Sequence, residues 1–372
     1  MSSSKIRVLI VDDSAVVRGL LSRALQSDGQ IEVAGTAMHG QSAISHLRRQ
    51  LVDVVLMDVE MPVMDGLTAL GIILKEFPKL PVVMVSSLTQ AGAETTVQAL
   101  SLGAAGCIAK PATSSTSESI SLLVDELVPM IKALANPSAD PLVPPHRSAG
   151  FTAATTGWRS SSLSPTADAP ARMPKDFTPH VVVIGSSTGG PRALTEVLTN
   201  LHPDFSLPIL IVQHMPPMFT PLLARRLELE CSRPCREGTN GSPIEGGHMY
   251  VAPGDFHMEI ARRGEQMMTI LHRNEPEHFC RPSVNPLFRT AAQWYRGNVL
   301  AVMLTGMGDD GIEGTREIAA GNGYVIAQDR ASSIVWGMPG AVVRERLAHQ
   351  VLPLDMIAPT LNRICCTENA TL

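Results

Sequence analysis

The chain has 372 residues, 44% of them hydrophobic, which gives enough length and apolar content for two packed domains. Its formal net charge of -5 argues against binding nucleic acid or anionic lipid by bulk electrostatics, so we expect a protein partner and no nucleic-acid partner. No signal-peptide pattern opens the chain and no apolar run approaches the roughly 18 residues that cross a bilayer, so we expect a cytoplasmic protein without membrane insertion, whose cysteines are free thiols.

The first part of the chain alternates short apolar runs with helical patterns. Nearly continuous apolar runs, each followed by an amphipathic segment, are typical of a parallel sheet that helices cover on both faces. We therefore predict a parallel α/β domain over residues 5–125. Its five strands are predicted at residues 6–11, 31–36, 54–57, 82–85 and 106–108.

A stretch of different composition follows this domain. Residues 136–176 contain seven prolines among many Ser, Ala and Thr residues, without apolar periodicity. Such a composition is typical of linkers, and a structureless loop of this length is uncommon inside a compact domain. We predict a linker over residues 126–176.

Alternation of strands and helices resumes after the linker. Helices are predicted to begin at Pro191 and Thr220, between buried strands at residues 181–185, 209–213, 299–304 and 324–327. Shorter apolar runs, interpreted as strands with a hairpin at the edge of the sheet, lie at residues 249–252, 258–260 and 268–271. We predict a second α/β domain over residues 177–372, doubly wound around a mostly parallel sheet.

Polar residues stand at the carboxyl ends of the predicted strands of the first domain. Asp12 and Asp13 end the first strand, Asp58 ends the third, Ser86 ends the fourth, and Lys110 follows the fifth. Functional groups of parallel α/β sheets gather at these ends, so we expect the side chains to converge. Each residue alone could be a helix cap, a turn residue or a solvated surface group. Taken together, the clustered carboxylates would repel one another unless a cation lay among them, and their oxygen ligands suit Mg²⁺.

The first domain resembles the response-regulator receiver family, which implies a flavodoxin-like fold. The resemblance rests on four segments: VLIVDDS at 8–14, MDVEMPVMDG at 57–66, VSS at 85–87 and KP at 110–111. Cys107 falls at the switch position, where receivers often carry an aromatic residue.

The resemblance to receivers implies a role for each member of the acidic cluster. Asp58 accepts a phosphoryl group from a histidine kinase, and Ser86 and Lys110 sense the phosphate. The implied Mg²⁺ ligands are the side chains of Asp12, Asp13 and Asp58 and the backbone carbonyl of Glu60. The added charge of about -1.5 to -2 can then reorder nearby loops.

A candidate nucleophile lies in the segment VVVIGSSTGGP at residues 181–191. The segment predicts a buried strand, a tight turn and a helix opened by Pro191, and it contains Gly-x-Ser-x-Gly at Gly185, Ser187 and Gly189. Such a turn exposes the serine hydroxyl and points helix-start amides at developing negative charge. A phosphate-binding loop is the rival interpretation, but the dinucleotide fingerprint is not matched and no Lys follows the glycines.

A serine nucleophile needs a base and a group that orients the base. His214 directly follows the predicted strand at 209–213, which makes it the geometric favourite among eleven histidines. The strand at 299–304 is followed by TGMGDDG, so Asp309 or Asp310 could supply the carboxylate, or could instead cap the next helix. The order Ser, His, Asp differs from that of ordinary α/β hydrolases.

The second domain resembles the catalytic domain of the chemotaxis protein-glutamate methylesterases, the CheB family. The resemblance rests on GSSTGGP at 185–191, QHMP at 213–216 and LTGMGDDG at 304–311, and the order receiver, linker, hydrolase is also that of the family. It implies Ser187 as nucleophile, His214 as general base and then acid, and Asp310 as the residue that orients His214. The backbone amides of Thr188 and Met307 are implied to bind the oxyanion or position the ester.

The same resemblance implies a function. The enzyme demethylates methylglutamate residues of chemoreceptors and deamidates particular receptor glutamines, without a cofactor for the esterase step. By the same resemblance, the unphosphorylated receiver is expected to cover the serine pocket, and phosphorylation at Asp58 is expected to weaken that contact. Two rivals remain: a response regulator whose second domain only binds a partner, and a nucleotide-binding domain that uses the loop at 185–190. A fluorophosphonate probe that labels Ser187 would separate a hydrolase from both.

Overall fold

The structure, a computed structural model, describes residues 5–87, 89–110, 117–135 and 177–366. Most of the predicted linker, residues 136–176, lies outside the described residues, and so does Pro111 of the receiver-like KP segment. The described residues form two α/β domains, one on each side of the 136–176 gap.

The first domain contains a five-stranded parallel sheet in the order β2-β1-β3-β4-β5. The strands are β1 (Ile6–Val11), β2 (Ile31–Ala37), β3 (Val54–Asp58), β4 (Val82–Ser86) and β5 (Gly106–Ala109). The helices between and after them are α1 (Ala15–Gln26), α2 (Gly40–Leu47), α3 (Gly66–Glu76), α4 (Gln90–Leu102) and α5 (Ser117–Ala135). Every residue of β3 and β4 is buried because helices cover both faces. The strand order confirms the predicted flavodoxin-like fold.

The last helix of this domain, α5, passes through the boundary proposed at residue 125. It reaches Ala135, and its apolar residues Leu127 and Ile131 are buried in the core of the first domain. Lys132 of the same helix forms an ion pair with Asp28, with 2.6 Å between Nζ and Oδ2. Residues 126–135, which the sequence placed in the linker, are therefore helical and pack on the receiver-like sheet.

The second domain contains a seven-stranded sheet in the order β15-β14-β13-β6-β7-β10-β8, with parallel pairing throughout. Its strands are β6 (Val181–Ser186), β7 (Ile209–Gln213), β8 (Cys235–Glu237), β10 (Met249–Val251), β13 (Val299–Met303), β14 (Tyr324–Gln328) and β15 (Gln350–Leu352). The chain enters at β6, continues to β7 on one side and later returns to β13 on the other. This reversal is the topological switch point at which open α/β sheets place ligand sites.

Helices cover both faces of this sheet, as predicted for a doubly wound domain. They are α6 (Gly190–Thr199), α7 (Thr220–Cys231), α8 (Val284–Tyr295), α9 (Ile312–Ala320), α10 (Met338–Arg344) and α11 (Leu354–Cys365). In the part of the chain that the structure describes, none of the helices has the length and hydropathy needed to cross a membrane.

The prediction of a hairpin at the edge of the main sheet is wrong. Strands β11 (His257–Arg263) and β12 (Gln266–His272) do pair antiparallel, but with β9 (Ser242–Pro243) they form a separate three-stranded sheet. The third run grouped with them, β10, lies inside the main parallel sheet between β7 and β8. A buried strand of three residues carries no periodicity that reveals its partner, so the sequence could not distinguish the two arrangements.

The two domains pack against each other next to the switch point of the second sheet. Helix α4 of the first domain contacts α6 and α7 of the second. The backbone N–H of Gly189, in the turn between β6 and α6, donates to the carbonyl of Ala105 at 2.9 Å. The first domain therefore contacts the turn that carries the candidate nucleophile.

Candidate active site

Three loops meet at the carboxyl edge of the second sheet because the strands that precede them are neighbours. Ser187 follows β6, His214 follows β7, and Asp310 lies in the loop after β13. In the sheet, β6 lies between β13 and β7. The structure therefore places the three predicted catalytic residues at one site although 123 positions separate Ser187 from Asp310.

The serine turn is tight because two glycines leave room for its neighbours. Gly189 has φ +77°, and a Cβ atom there would lie 2.7 Å from the Ile334 side chain. A Cβ atom at Gly190 would collide with the side-chain amide of Gln213. The backbone N–H of Ser187 donates to the carbonyl of Thr305 at 3.0 Å, which fixes the turn against the loop after β13.

Gln213 ties the serine turn to the histidine loop, a role that the sequence analysis did not find. Its side chain is 2% exposed, and its Nε2 donates to the carbonyls of Ser187 at 2.9 Å and His214 at 3.1 Å. Its Oε1 accepts from the hydroxyl of Ser186 at 2.8 Å. A polar residue that ends an otherwise apolar buried strand was the available signal. Gln213 thus sets the spacing of the two loops.

We predict that Gln213→Leu lowers kcat/KM for the reaction at this site by about 10²-fold, because small misplacements of reacting groups have effects of that size. The variant leaves the carbonyls of Ser187 and His214 without their buried donor, so its free energy of unfolding should fall by about 1–3 kcal/mol. Steady-state kinetics and urea unfolding measure the two effects. Gln266→Leu makes the same change at an exposed hairpin position and should alter neither quantity. An unchanged kcat/KM in Gln213→Leu would contradict the proposed role.

His214 and Asp310 form a buried pair. The distance from His214 Nε2 to Asp310 Oδ2 is 2.7 Å, and the side chains are 12% and 2% exposed. Burial by itself lowers the pKa of His214, but the neighbouring Cys280 sulfur and the bond to the Asp310 carboxylate outweigh it and raise that pKa above its usual value. A hydrogen bond to Asp310 at Nε2 leaves Nδ1 as the nitrogen that can exchange a proton with a nucleophile.

The start of α8 holds the Asp310 carboxylate. The Ser283 hydroxyl donates to Oδ1 at 2.7 Å, and the backbone N–H of Val284 donates to Oδ2 at 2.7 Å. Burial opposes the charge of Asp310, but His214, Ser283 and Val284 together hold the pKa of this carboxyl below its usual range. Asp310 therefore stays ionised beside His214. Neither donor was expected from the sequence, because no helix was predicted at the position of α8.

Asp309 has a different environment from its neighbour. Its side chain is about half exposed and lies 2.8 Å from His278 Nδ1, while His278 Nε2 lies 3.2 Å from Glu313. Neither Asp309 nor Asp310 caps the following helix, since α9 begins after Gly311 without a side-chain cap. The sequence did not decide whether Asp309 or Asp310 supplies the carboxylate for the histidine. Asp310 is the one that contacts His214.

Ser187 and His214 lie on loops that Gln213 joins, but their side chains are not hydrogen-bonded to each other. Among the described residues, the half-buried Ser187 hydroxyl has no hydrogen-bond partner. His214 Nδ1 instead lies 3.5 Å from the sulfur of Cys280. The sequence analysis treated Cys280 only as a free thiol, and its sequence position gave no sign of this contact.

Two backbone amides beside Ser187 are available for a substrate oxygen. Within the described ranges, the N–H groups of Thr188 and Met307 donate to no acceptor. The loop that carries Met307 lies against the nucleophile turn, since a Cβ atom at Gly306 would lie 2.9 Å from the Ser187 Cβ. Free amides at this place match the donors that an oxyanion requires.

The predicted acidic cluster of the first domain is also assembled. Ligand oxygens of Asp12, Asp13 and Asp58 all lie within 4.8 Å of one another. Lys110 Nζ lies 2.7 Å from Asp58 Oδ2 and 3.1 Å from Asp12 Oδ2. The Ser86 hydroxyl lies at the end of β4 but donates to the carbonyls of Ser87 and Gly92, both at 3.2 Å, rather than to Asp58.

The electrostatics of this cluster fit a bound cation. Burial, opposed by Lys110 and assisted by the nearby Asp12, raises the pKa of Asp58 to about 6. Asp12 Oδ2 and Asp58 Oδ2 are buried without a hydrogen bond of good geometry. Glu60 lies two residues beyond Asp58, and its N–H donates to Asp58 Oδ1 at 3.4 Å. Oxygen ligands of this kind, with unsatisfied negative charge, suit a hard divalent cation.

Fold and sites together define a response regulator whose output domain carries the serine, histidine and carboxylate of a hydrolase. The family profile described as response regulator receiver domain matches residues 8–119, and that described as CheB methylesterase matches residues 182–361. The chain belongs to the CheB methylesterase family, as its similarity to full-length relatives shows.

Several relatives carry the name protein-glutamate methylesterase/protein-glutamine glutaminase. That of Rhodospirillum rubrum is 45% identical over 361 residues, which covers 95% of this chain and 93% of the relative. That of Caulobacter vibrioides is 45% identical over 354 residues, covering 95% of this chain and 97% of the relative. The solved catalytic domain of Thermotoga maritima CheB methylesterase is 39% identical, with a TM-score of 0.49, and covers 50% of this chain and 100% of that domain.

Proposed function

We propose that the chain hydrolyses glutamate γ-methyl esters on chemoreceptors through Ser187, His214 and Asp310. The observation that carries the proposal is the buried contact of 2.7 Å between His214 and Asp310, on a loop that Gln213 ties to the Ser187 turn. The printed names of the relatives, protein-glutamate methylesterase/protein-glutamine glutaminase, support the same substrate class.

The reaction proceeds through an acyl-enzyme. Ser187 Oγ attacks the γ-carbonyl carbon while His214 Nδ1 takes the hydroxyl proton, and the amides of Thr188 and Met307 bind the oxyanion. His214 then gives the proton to the leaving methoxide, and methanol departs. Water, activated by the same imidazole, releases the glutamate carboxylate and restores Ser187. A receptor glutamine follows the same path with ammonia as the leaving group, so deamidation needs no further residue.

The first domain is proposed to take up a phosphoryl group on Asp58 from a histidine kinase. Asp12, Asp13, Asp58 and the Glu60 carbonyl are the proposed ligands of Mg²⁺, which when bound supplies positive charge that stabilises the transferring phosphoryl group. Lys110 contributes a second positive charge at the Asp58 oxygen that it contacts. Ser86 reaches the phosphate only if its hydroxyl turns away from the Gly92 carbonyl.

Contact between the domains is proposed to restrict the esterase until Asp58 is phosphorylated. The Ala105 carbonyl accepts from the N–H of Gly189, two residues after the nucleophile. Met307, Ile334 and Val335 of the second domain pack with the apolar core of the first domain. Methylated substrate must reach Ser187 and Met307, so this packing competes with substrate. Phosphorylation shifts the population toward an undocked arrangement.

The test is methanol release from membranes that contain methylated receptors, with and without a small phosphodonor and Mg²⁺. We expect release in both conditions and a higher rate with the phosphodonor. An enzyme that releases no methanol in either condition, although it takes up phosphoryl, would refute the proposed function.

Asp58→Asn is expected to keep the basal rate of methanol release and to lose the increase caused by the phosphodonor, because the amide cannot accept the phosphoryl group. Asp65→Asn is the matched control. Asp65 caps α3 through its Oδ1 at 2.7 Å from the N–H of Thr68, and Asn caps helices about as well as Asp. This control should respond to the phosphodonor as the wild type does. Stimulation that survives in Asp58→Asn would contradict the regulatory proposal.

A further inference from the structure

An exposed aromatic side chain lies beside the candidate active site. Phe279 is 94% exposed, which makes it the most exposed large apolar side chain among the described residues. The next residue, Cys280, places its sulfur 3.5 Å from Nδ1 of His214. A single exposed apolar side chain is ordinary on a protein surface. The backbone that carries Phe279 is what makes its exposure informative.

That backbone adopts a conformation that bulky residues rarely accept. His278 and Phe279 have φ of +48° and +62°. Glu277 and Cys280, on either side of them, exchange two backbone hydrogen bonds of 2.8 and 3.2 Å, so residues 277–280 form a tight hairpin turn. Turns with two left-handed central residues usually carry Asn-Gly or Gly-Gly, because a large side chain is strained there. Strain that the surroundings maintain is typical of functional positions.

Polar contacts on three sides hold this turn in place. The three pairs, separated by 2.6 to 2.8 Å, are His278 with Asp309, Glu277 with Arg289, and Arg281 with Asp255. They connect the turn to the loop after β13, to α8 and to the loop before β11. The backbone of Phe279 is therefore fixed while its ring stays in solvent, which is the arrangement of a preorganised contact residue.

Within the described residues, the first domain leaves this ring uncovered. The first domain bonds to Gly189 and packs with Met307, Ile334 and Val335. Phe279 keeps its 94% exposure in that same arrangement of the two domains. The ring is therefore accessible to a partner of the second domain while the two domains are in contact.

We propose that Phe279 is a specificity-determining residue, whose ring contacts an apolar side chain of the substrate protein next to the methylated glutamate. This inference rests on the proposed function. The ring belongs to the residue that precedes Cys280, and Cys280 contacts His214, so a protein segment whose ester reaches Ser187 has the ring beside it. An aromatic ring on a fixed backbone supplies a large apolar contact at a low cost in entropy.

The test compares methanol release from methylated receptor membranes by full-length wild type and Phe279→Ala. Loss of an aromatic anchor typically weakens an interface by about tenfold, so the KM for the receptor should rise about tenfold. A residue that only binds substrate leaves kcat within about twofold, and labelling of Ser187 by a small fluorophosphonate, which does not reach the ring, should be equally little affected.

Leu229→Ala is the matched control. Leu229 is 72% exposed and lies shortly before β8 begins, at the edge of the parallel sheet opposite to the site. Its replacement should leave the KM for the receptor unchanged. A rise in KM that is equal in Leu229→Ala and Phe279→Ala would overturn the specificity role, because it would follow from the loss of any exposed apolar side chain.

Two further variants separate recognition from a structural role of the turn. Phe279→Gly places at φ +62° the residue that accepts this conformation without strain, so its midpoint of urea unfolding should not fall. Its KM should nevertheless rise as much as that of Phe279→Ala. Phe279→Trp keeps an aromatic ring and should hold KM within about threefold of the wild type. A wild-type KM in Phe279→Gly would overturn the proposal, since the ring would then be dispensable.

Failure of this inference and failure of the proposed function give different results. If the wild type releases methanol and Phe279→Ala has the same KM, only the role of the ring is refuted. If Phe279→Ala slows fluorophosphonate labelling as much as it slows receptor turnover, the ring acts on the site itself and the specificity role is also refuted. If the wild type releases no methanol, the proposed function is refuted and this inference with it.

Discussion

Ser187→Ala is expected to abolish methanol release from methylated receptors while Asp58 continues to take up phosphoryl. The Ser187 hydroxyl is the proposed nucleophile. The Gln213 side chain donates to the Ser187 carbonyl, and the Ser187 N–H donates to the Thr305 carbonyl. The substitution leaves both of these backbone bonds intact. Removal of the nucleophile of a serine hydrolase lowers kcat by about 10⁴-fold to 10⁶-fold. Phosphodonor uptake by the same sample shows that the first domain remains folded.

Ser186→Ala is the matched control for this experiment because it removes the hydroxyl of the preceding residue. The Ser186 hydroxyl is buried and donates to Gln213 Oε1 at 2.8 Å, so its loss should weaken the Gln213 contact and reduce activity far less than loss of Ser187 does. A fluorophosphonate probe should label the wild type and Ser186→Ala but not Ser187→Ala. If Ser187→Ala releases methanol at a rate near that of the wild type, the nucleophile assignment is wrong.

The fold and the position of the candidate site were predictable because chemistry-bearing residues follow buried apolar strands. Ser187, His214 and Asp310 each come within a few residues of such a strand, and parallel strands bring their carboxyl ends to one edge. The same argument placed Asp12, Asp58 and Lys110 together. Local pattern sufficed for these residues, which are attached to regular strands, but it did not show that the Ser86 hydroxyl at the end of β4 bonds to the Ser87 and Gly92 carbonyls instead of to Asp58.

The contacts that refine the site could not be predicted because they come from segments without a strand pattern. Ser283 and Val284 reach Asp310 from the start of α8, and Cys280 reaches His214 from the loop before it. Their approach depends on tertiary packing between α8 and β11 rather than on local sequence. The predicted position of β10 was wrong for a related reason, since three buried residues do not show which strands flank them.

Three elements meet at the Ser187 site, and each makes a different contact there. Gln213 ties the Ser187 turn to the His214 loop, the start of α8 holds the Asp310 carboxylate, and the first domain contacts Gly189 and Met307 from outside. Only the last of these contacts joins two domains, so it can be broken without disturbing the fold of the second domain. In the proposed regulation, phosphorylation at Asp58 therefore acts on access to the site and leaves the alignment of His214 with Asp310 unchanged.

Asp310→Asn and Asp309→Asn are expected to separate the roles of two adjacent carboxylates. Asp310 is buried against His214, Ser283 and Val284, and an amide in its place can present only one acceptor oxygen to these three donors. Loss of the group that orients a catalytic histidine lowers kcat by about 10³-fold to 10⁴-fold. Asp309 is about half exposed and contacts His278, so its replacement should change kcat by less than about threefold, as for most exposed sites.

The stability of the two variants should also differ with pH. The pKa of Asp310 is lower in the folded protein, so its carboxylate stabilises the fold above the unfolded pKa of about 4, and this contribution is lost as the pH falls through the lower folded value. Urea unfolding at pH 7 should show Asp310→Asn less stable than the wild type by about 1–3 kcal/mol, with the difference shrinking below pH 4. Asp309→Asn should follow the wild type throughout. If Asp309→Asn instead shows the larger loss of kcat, the assignment of Asp310 as the orienting acid must be reversed, because the same imidazole cannot depend on both.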